Sequence, residues 1–243
     1  ANVNLTIVNN PPVVLDNTVS TPANTGVVVT PLSNDSDPDV GQTLSITSIN
    51  GVVLTNTPST TQTIVVPNGT VTVVYDASGV PTITVTPDTY FTGTLTIPYT
   101  VSDGNGGTGT ADIIVNVLNT DPVAVDDSYT TTVGDSVVLL PLTNDSDVDG
   151  HPLTIIEING VALTPGTAQT IPVTNGTVTV SASGVITFTP TAGYTGTVTF
   201  PYTISDGHGG TVTADISVVV TNIAPVAVDD TSTTLSDVPV VVN

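Results

Sequence analysis

The sequence predicts an all-β chain of tandem two-sheet sandwiches. Three observations predict it. Short runs alternate apolar and polar residues with period two. Turn-forming dipeptides separate those runs. Whole blocks of sequence recur at the spacing of one sandwich domain.

The alternating runs include Thr177-Val-Thr-Val180, Val185-Ile-Thr-Phe188, Thr197-Val-Thr-Phe-Pro-Tyr-Thr-Ile204 and Asp215-Ile-Ser-Val-Val-Val220. Thr faces one side and Val, Ile, Phe or Tyr the other, the signature of a half-buried antiparallel strand. Val198, Phe200, Tyr202 and Ile204 are therefore expected in a core, with Leu95, Ile97, Tyr99 and Val101 as counterparts. Pro98 and Pro201 fall inside these runs and predict a bulge or strand break, because proline lacks the amide a ladder needs.

Turns are expected at Asn50-Gly51, Asn68-Gly69, Ser78-Gly79, Asn159-Gly160, Asn175-Gly176 and Ser183-Gly184. Gly104, Gly106, Gly107, Gly207, Gly209 and Gly210 are read as glycines needed for positive φ. No helical periodicity appears. Each unit then has about seven antiparallel strands, the count of an immunoglobulin-like sandwich.

The repeat is explicit. Pro122-Val-Ala-Val-Asp-Asp127 returns as Pro225-Val-Ala-Val-Asp-Asp230 and, more weakly, as Pro12-Val-Val-Leu-Asp-Asn17. Asn34-Asp-Ser-Asp37 returns as Asn144-Asp-Ser-Asp147, a spacing of 110 (144 − 34). Tyr99-Thr-Val-Ser-Asp-Gly-Asn-Gly-Gly-Thr108 returns as Tyr202-Thr-Ile-Ser-Asp-Gly-His-Gly-Gly-Thr211, a spacing of 103 (202 − 99). The second unit is thus seven residues shorter (110 − 103) between these motifs. The organisation is a last strand of a preceding repeat at 1–10, repeats at 11–120 and 121–223, and the start of a further repeat at 224–243. The linkers Asn119-Thr-Asp-Pro122 and Asn222-Ile-Ala-Pro225 are short and proline-stiffened, which predicts an extended rod.

Composition excludes several functions. The chain has 21 acidic residues and neither Lys nor Arg, for a net charge of −21. That leaves no basic footprint for nucleic acid and no attraction to anionic lipid. No run has the apolar length for membrane insertion. Hydrophobic residues make up 38%, dominated by Val and Ile, so the chain can bury cores despite its charge. Without Cys no disulfide staples it, and without Lys or Arg trypsin has no cleavage site.

The ordered set of P-V-A-V-D-D opening, N-D-x-D-x-D loop and Y-T-x-S-D-G-x-G-G hairpin, present in both complete units, resembles the bacterial immunoglobulin-like and cadherin-like tandem repeats of long surface adhesins. The resemblance implies an extracellular extender domain, on a bacterial cell surface or in a secreted filament. Such a segment holds a binding tip away from the cell and is often stiffened by Ca²⁺. Its partners would be neighbouring repeats of the same chain or filament, with any surface glycan or protein ligand engaged by a tip elsewhere.

The acidic motifs give that Ca²⁺ reading a chemical basis. Glu157 is the only Glu; the remaining acids are Asp, the short carboxylate of turns and Ca²⁺ loops. In an immunoglobulin topology the start of the first strand, the loop after the second and the late hairpin lie at one end. This places Asp126, Asp127, Asn144, Asp145, Asp147, Asp149 and Asp206 together in the second unit. The first-unit set is Asp16, Asn34, Asp35, Asp37, Asp39 and Asp103, with Asp121 in the linker as a further candidate. Converging carboxylates repel unless a cation neutralises them, and hard oxygens in this number suit Ca²⁺. The alternative is that these side chains only cap turns.

His151 and His208 are read as exposed and isolated loop residues, too few for a zinc site. Asn4, Asn34, Asn68, Asn144 and Asn175 head N-x-S/T sequons, which turn chemistry also explains. The sequence offers no Cys or Lys nucleophile and no nucleophile elbow, so a non-enzymatic chain is expected. Two other functions compete with the extender. One is a filament subunit polymerised by β-strand exchange, suggested by the incomplete end units. The other is a glycan- or ice-binding module, suggested by Thr-x-Thr arrays.

Overall fold

A computed structural model describes residues 8–229 together with Thr231, Thr233, Ser236 and Pro239. The strand expected over residues 1–10 lies largely outside the described residues, as do Asn4 and Asp230. The fold is all-β, with two sandwiches made of four sheets.

The first sandwich contains β1 (Asn17–Pro22), β2 (Val27–Val29), β3 (Ser45–Ile49), β4 (Val52–Val53), β5 (Thr61–Val66), β6 (Gly69–Tyr75), β7 (Pro81–Pro87), β8 (Gly93–Ser102) and β9 (Thr108–Leu118). One sheet has the order β1-β9-β8-β3-β4 and the other β2-β7-β6-β5. The second sandwich repeats this with β10 (Asp127–Thr132), β11 (Val137–Leu139), β12 (Thr154–Ile158), β13 (Val161–Ala162), β14 (Gln169–Val173), β15 (Gly176–Val180), β16 (Ile186–Pro190), β17 (Gly196–Ser205) and β18 (Thr211–Thr221). Its sheets run β10-β18-β17-β12-β13 and β11-β16-β15-β14.

Each unit therefore has nine strands rather than about seven. The extra ones are short: β4 and β13 are two residues each and wholly exposed, so neither has an alternation to read. Not every pairing is antiparallel either. β1 runs parallel to β9, Asn17 opposite Ile113 through Pro22 opposite Leu118, and β10 runs parallel to β18. The strand of the P-V-A-V-D-D motif starts only at its last residue, Asp127. Ahead of it, Val123 makes an isolated bridge to Ser146, as Val13 does to Ser36.

The expected core is the observed one. Leu95, Ile97, Tyr99 and Val101 of β8 are buried, as are Val198, Phe200, Tyr202 and Ile204 of β17. Phe188 of β16 stacks on Phe200 across the two sheets, with ring centroids 6.0 Å apart. Burial pushes the Tyr99 phenol pKa up, and the Asp35 charge adds to it. The hydroxyl is 3.0 Å from the Leu15 carbonyl and 3.1 Å from Asp35 Oδ2, and accepts from Asn17 Nδ2 at 3.0 Å.

Pro98 and Pro201 cause no break. β8 pairs continuously with β9 through Pro98, which lies opposite Asp112. On its other side β3 has already ended, at Ile49 opposite Tyr99, so no ladder partner needs the missing amide. The Pro98 carbonyl still accepts from Asn50, at 2.7 Å, and Pro201 accepts from Asn159 at 2.8 Å. The bulge in this sheet sits instead on β3, between Ile46 and Ser48.

Four of the seven missing residues can be located. β6 and β7 have seven residues each, and their counterparts β15 and β16 five each. Asn50-Gly51 and Asn159-Gly160 have positive φ at both residues, as a tight two-residue hairpin requires. At Asn68-Gly69 and Asn175-Gly176 only the asparagine has positive φ, and the glycine is already the first residue of β6 or β15.

Backbone contacts group the chain into two compact parts. Among the described residues, one comprises 8–125, 142–156 and 203–213, and the other 126–141, 157–202 and the residues from 214 onward. The acidic loops of both repeats belong to the first part.

Candidate metal centre

The acidic loop of the second repeat follows a single turn of 3-10 helix, Pro141–Thr143. Asp147 then folds its carboxylate back over its own loop. Oδ1 accepts from the Asp149 amide at 2.8 Å and from the His151 amide at 3.3 Å. Asp149 is turned towards the linker. Its Oδ2 accepts from the Thr120 amide at 2.6 Å, and its carbonyl accepts from Asn24 Nδ2 at 2.8 Å.

The late hairpin supplies Asp206. Its Oδ1 accepts from the amides of His208, at 2.7 Å, and Gly210, at 3.0 Å, and its Oδ2 accepts from Asn119 Nδ2 at 2.7 Å. Burial works against the charged form. The donors Asn119, His208 and Gly210, with the nearby His151, outweigh it and hold the Asp206 pKa below the ordinary carboxylate value. Asp121 joins the same corner, since its Oδ1 and a carboxylate oxygen of Asp206 both lie against the position a β-carbon on Gly210 would take. Gly210 and its counterpart Gly107 do not have positive φ. They are glycine because any side chain would strike the Asp206 or Asp103 carboxylate and the neighbouring proline. Gly104, Gly106, Gly207 and Gly209 do have positive φ, as expected.

The first repeat builds the same network. Asp37 Oδ1 accepts from the Asp39 amide at 2.7 Å, and Asp39 Oδ2 from the Asn10 amide at 2.7 Å. Asp103 Oδ1 accepts from Asn105, and its Oδ2 from Asn9 Nδ2, both at 2.7 Å. The Asn9 bond leads the causes that hold the Asp103 pKa low.

These hydrogen bonds satisfy only part of each network. Asp37 Oδ2, Gln42 Oε1, Asp147 Oδ2, Asn119 Oδ1 and His151 Nδ1 are buried with no hydrogen-bond partner. Unmet buried acceptors beside carboxylates are what a bound cation would satisfy. The first-repeat cluster opens into a polar cleft lined by Asn9, Asp39, Gln42 and Asn105.

The other sequence candidates sit on backbone groups. Asp16 and Asp126 accept from the amides of Asp112 and Asp215, each at 2.9 Å. Asp35 and Asp145 accept from Leu15 and Val125, at 2.9 and 2.8 Å. Asn34 and Asn144 donate to the carbonyls of Asp16 and Val125. Asp127 is buried, with the Tyr129 hydroxyl 3.4 Å from its Oδ1. Among the described residues the one group of three acidic or imidazole ligands within 4.8 Å of one another is Asp147, Asp149 and His151.

The histidines depart from expectation. His151 is 4% exposed, and its ring stacks on that of His208 at 3.8 Å with 13° between planes. They are neither isolated nor both on the surface, although His208 is exposed. Sequence reasoning also missed Asn9, Asn119 and Gln42. Asn9 and Asn119 are 110 apart (119 − 9), the period of the other motifs, and that signal was available.

Comparison with known proteins decides the family. Residues 9–116 and 119–219 each match the family described as Bacterial Ig domain. The chain belongs to that family. Its two bacterial Ig domains are in tandem, as the repeat predicted. No curated protein matches the chain. Solved structures with a similar fold include human mucin-like protocadherin EC1-2. It is 16% identical, with 87% of this chain and 98% of that one covered, at a TM-score of 0.32. The protocadherin gamma B2 extracellular cadherin domains 1-5 are 14% identical, with 88% and 40% covered, at 0.28. The endo-fucoidan hydrolase MfFcnA4 from glycoside hydrolase family 107 is 17% identical, with 88% of this chain covered, at 0.28. This bacterial Ig chain spans 29% of that hydrolase. Likenesses this distant say nothing of what the chain does. Among the described residues no helix is long and apolar enough to cross a membrane.

Proposed function

We propose that the chain is a non-enzymatic structural extender in a bacterial surface adhesin or extracellular filament, with Ca²⁺ bound at the acidic loops. The tandem bacterial Ig domains support the extender reading. The observation that carries Ca²⁺ is the duplicated set of buried, unpartnered acceptors beside Asp37 and Asp147. Asp147, Asp149, Asp206, Asn119 and Asp121 would hold the ion in the second repeat, and Asp37, Asp39, Asp103, Asn9 and Gln42 in the first. All are oxygen donors, the ligands Ca²⁺ takes. Neutralising the carboxylates would rigidify the loops and the linker residues tied to them. Partners are neighbouring repeats, with any glycan or protein ligand engaged elsewhere in the whole protein.

The test is a thermal melt in millimolar Ca²⁺ and again in excess chelator. A ligand that binds only the folded state raises the midpoint by mass action. The expected result is a lower midpoint in chelator, restored by Ca²⁺ but not by Na⁺ of equal ionic strength. An unchanged midpoint overturns the Ca²⁺ reading and leaves the loops as hydrogen-bonded turns.

A further inference from the structure

We infer that the second repeat carries a mixed nitrogen–oxygen site for Zn²⁺, formed by Asp147, Asp149 and His151, and that the first repeat has no such site. This rests on the reading of the acidic loops as cation sites and deepens it: Asp147 and Asp149 are shared, and the His151 imidazole makes Zn²⁺ the preferred ion of the second loop. Three features support it.

The first is the tautomer. His151 Nε2 is 3.0 Å from the Tyr90 carbonyl oxygen, which can only accept, so that nitrogen carries the proton. In the neutral ring Nδ1 then presents a lone pair. Nδ1 has no hydrogen-bond partner and lies 3.7 Å from Asp147 Oδ1. The two side chains are 0% and 1% exposed, so water cannot separate these acceptors cheaply. A divalent cation held between them turns the repulsion into coordination. The spacing is close to the ~3.4 Å ligand–ligand edge of a tetrahedral zinc with bonds of ~2.0–2.1 Å.

The second is the support behind the ring. Metal-ligating histidines commonly donate their other N–H to a backbone carbonyl, which fixes the ring and its tautomer. The Tyr90 carbonyl does this here. His208 stacks on the ring, and its own Nδ1 is engaged at 2.9 Å by Thr92 Oγ1.

The third is the contrast between repeats. Gln42 takes the place of His151 in the first repeat: its amide reaches Asn9 and Asp39, and its Oε1 is the unpartnered atom. That site offers only hard oxygens, which suit Ca²⁺, whereas an imidazole shifts preference towards Zn²⁺.

The experiment is calorimetric titration of the chelator-stripped chain with Zn²⁺ and separately with Ca²⁺, for wild type, His151→Gln and His208→Asn. The substitutions import the residues of the first repeat, Gln42 and Asn105, so the folds are expected to persist, and circular dichroism checks this. One Zn²⁺ per chain is expected in wild type and His208→Asn. His151→Gln should weaken Zn²⁺ tenfold or more and leave Ca²⁺ binding in place. Equal Zn²⁺ affinity in wild type and His151→Gln, or loss of Zn²⁺ only in His208→Asn, overturns the inference while Ca²⁺ binding survives. Absence of binding by either ion overturns both readings. Should His151→Gln fail to fold, Asp147→Asn should weaken Zn²⁺ tenfold or more while Ca²⁺ still binds at the first repeat, and unchanged Zn²⁺ affinity overturns the inference.

Discussion

The side-chain amide of Asn119 donates to Oδ2 of Asp206 at 2.7 Å, and Asn9 donates to Asp103 at the same distance. One asparagine from the segment ahead of each repeat thus secures the aspartate of its late hairpin. Asn119→Ala removes a donor from a buried carboxylate. Urea unfolding is expected to show a loss of about 1–2 kcal/mol. The same substitution should move the Asp206 pKa upward, which carboxyl NMR can follow.

Acid should unfold the chain through these same aspartates. Asp103 and Asp206 have folded pKa values below their unfolded ones. Their contribution to stability is therefore complete above the unfolded value of about 3.9 and is lost as pH falls through the depressed folded value. Melts in chelator are expected to be flat with respect to these two groups from about pH 6 to 5 and to drop below about pH 4. Asp206→Asn should shrink that acid limb.

Gly176 begins β15 against an aromatic wall. A Cβ there would strike the Phe188 ring and come within 2.9 Å of the Thr189 carbonyl. Gly176→Ala is expected to cost about 1–3 kcal/mol by overpacking. Gly160→Ala meets no atom within 4 Å, so its cost comes only from φ of +76°. Denaturant midpoints of the two variants separate the mechanisms. Crowding at Gly176 should be eased by Phe188→Leu, and strain at Gly160 should not.

Phe188 and Phe200 bridge the two sheets of the second sandwich and are 0% and 1% exposed. Phe188→Ala should leave a cavity and cost about 3–5 kcal/mol. Equilibrium unfolding followed by far-UV circular dichroism measures it.

Much of the fold could be read from residue order. Alternation placed Val198, Phe200, Tyr202 and Ile204 inward because side chains on a strand switch faces at every residue. The parallel pairing of β1 with β9 could not be read this way. It joins Asn17 to Ile113, and alternation within either strand says nothing of a partner so far along the chain. Pro98 misled because its tolerance depends on where β3 stops, a property of the neighbouring strand.

The candidate site was legible in part. The D-x-D-x-D loop announced Asp147 and Asp149, and the turn motif announced Asp206. Their separation from Asp126 and Asp145 was not visible, since all carry the same side chain in equally short motifs. His151 was misjudged because a polar residue in an acidic loop looks solvated. Its burial comes from the Tyr90 carbonyl and the His208 ring, which are 61 and 57 residues away (151 − 90 and 208 − 151).

The parallel pairing has a mechanical meaning. β1 and β9 are the first and last strands of their sandwich, and six residue pairs join them. Tension applied at the start of β1 and the end of β9 pulls the two strands past each other along their length. The hydrogen bonds between them then carry load side by side and must fail together. An antiparallel pairing of the same two strands would instead open like a zipper, one bond at a time. β10 and β18 repeat the arrangement, so each sandwich clamps itself shut across the two points where a stretched chain would be gripped.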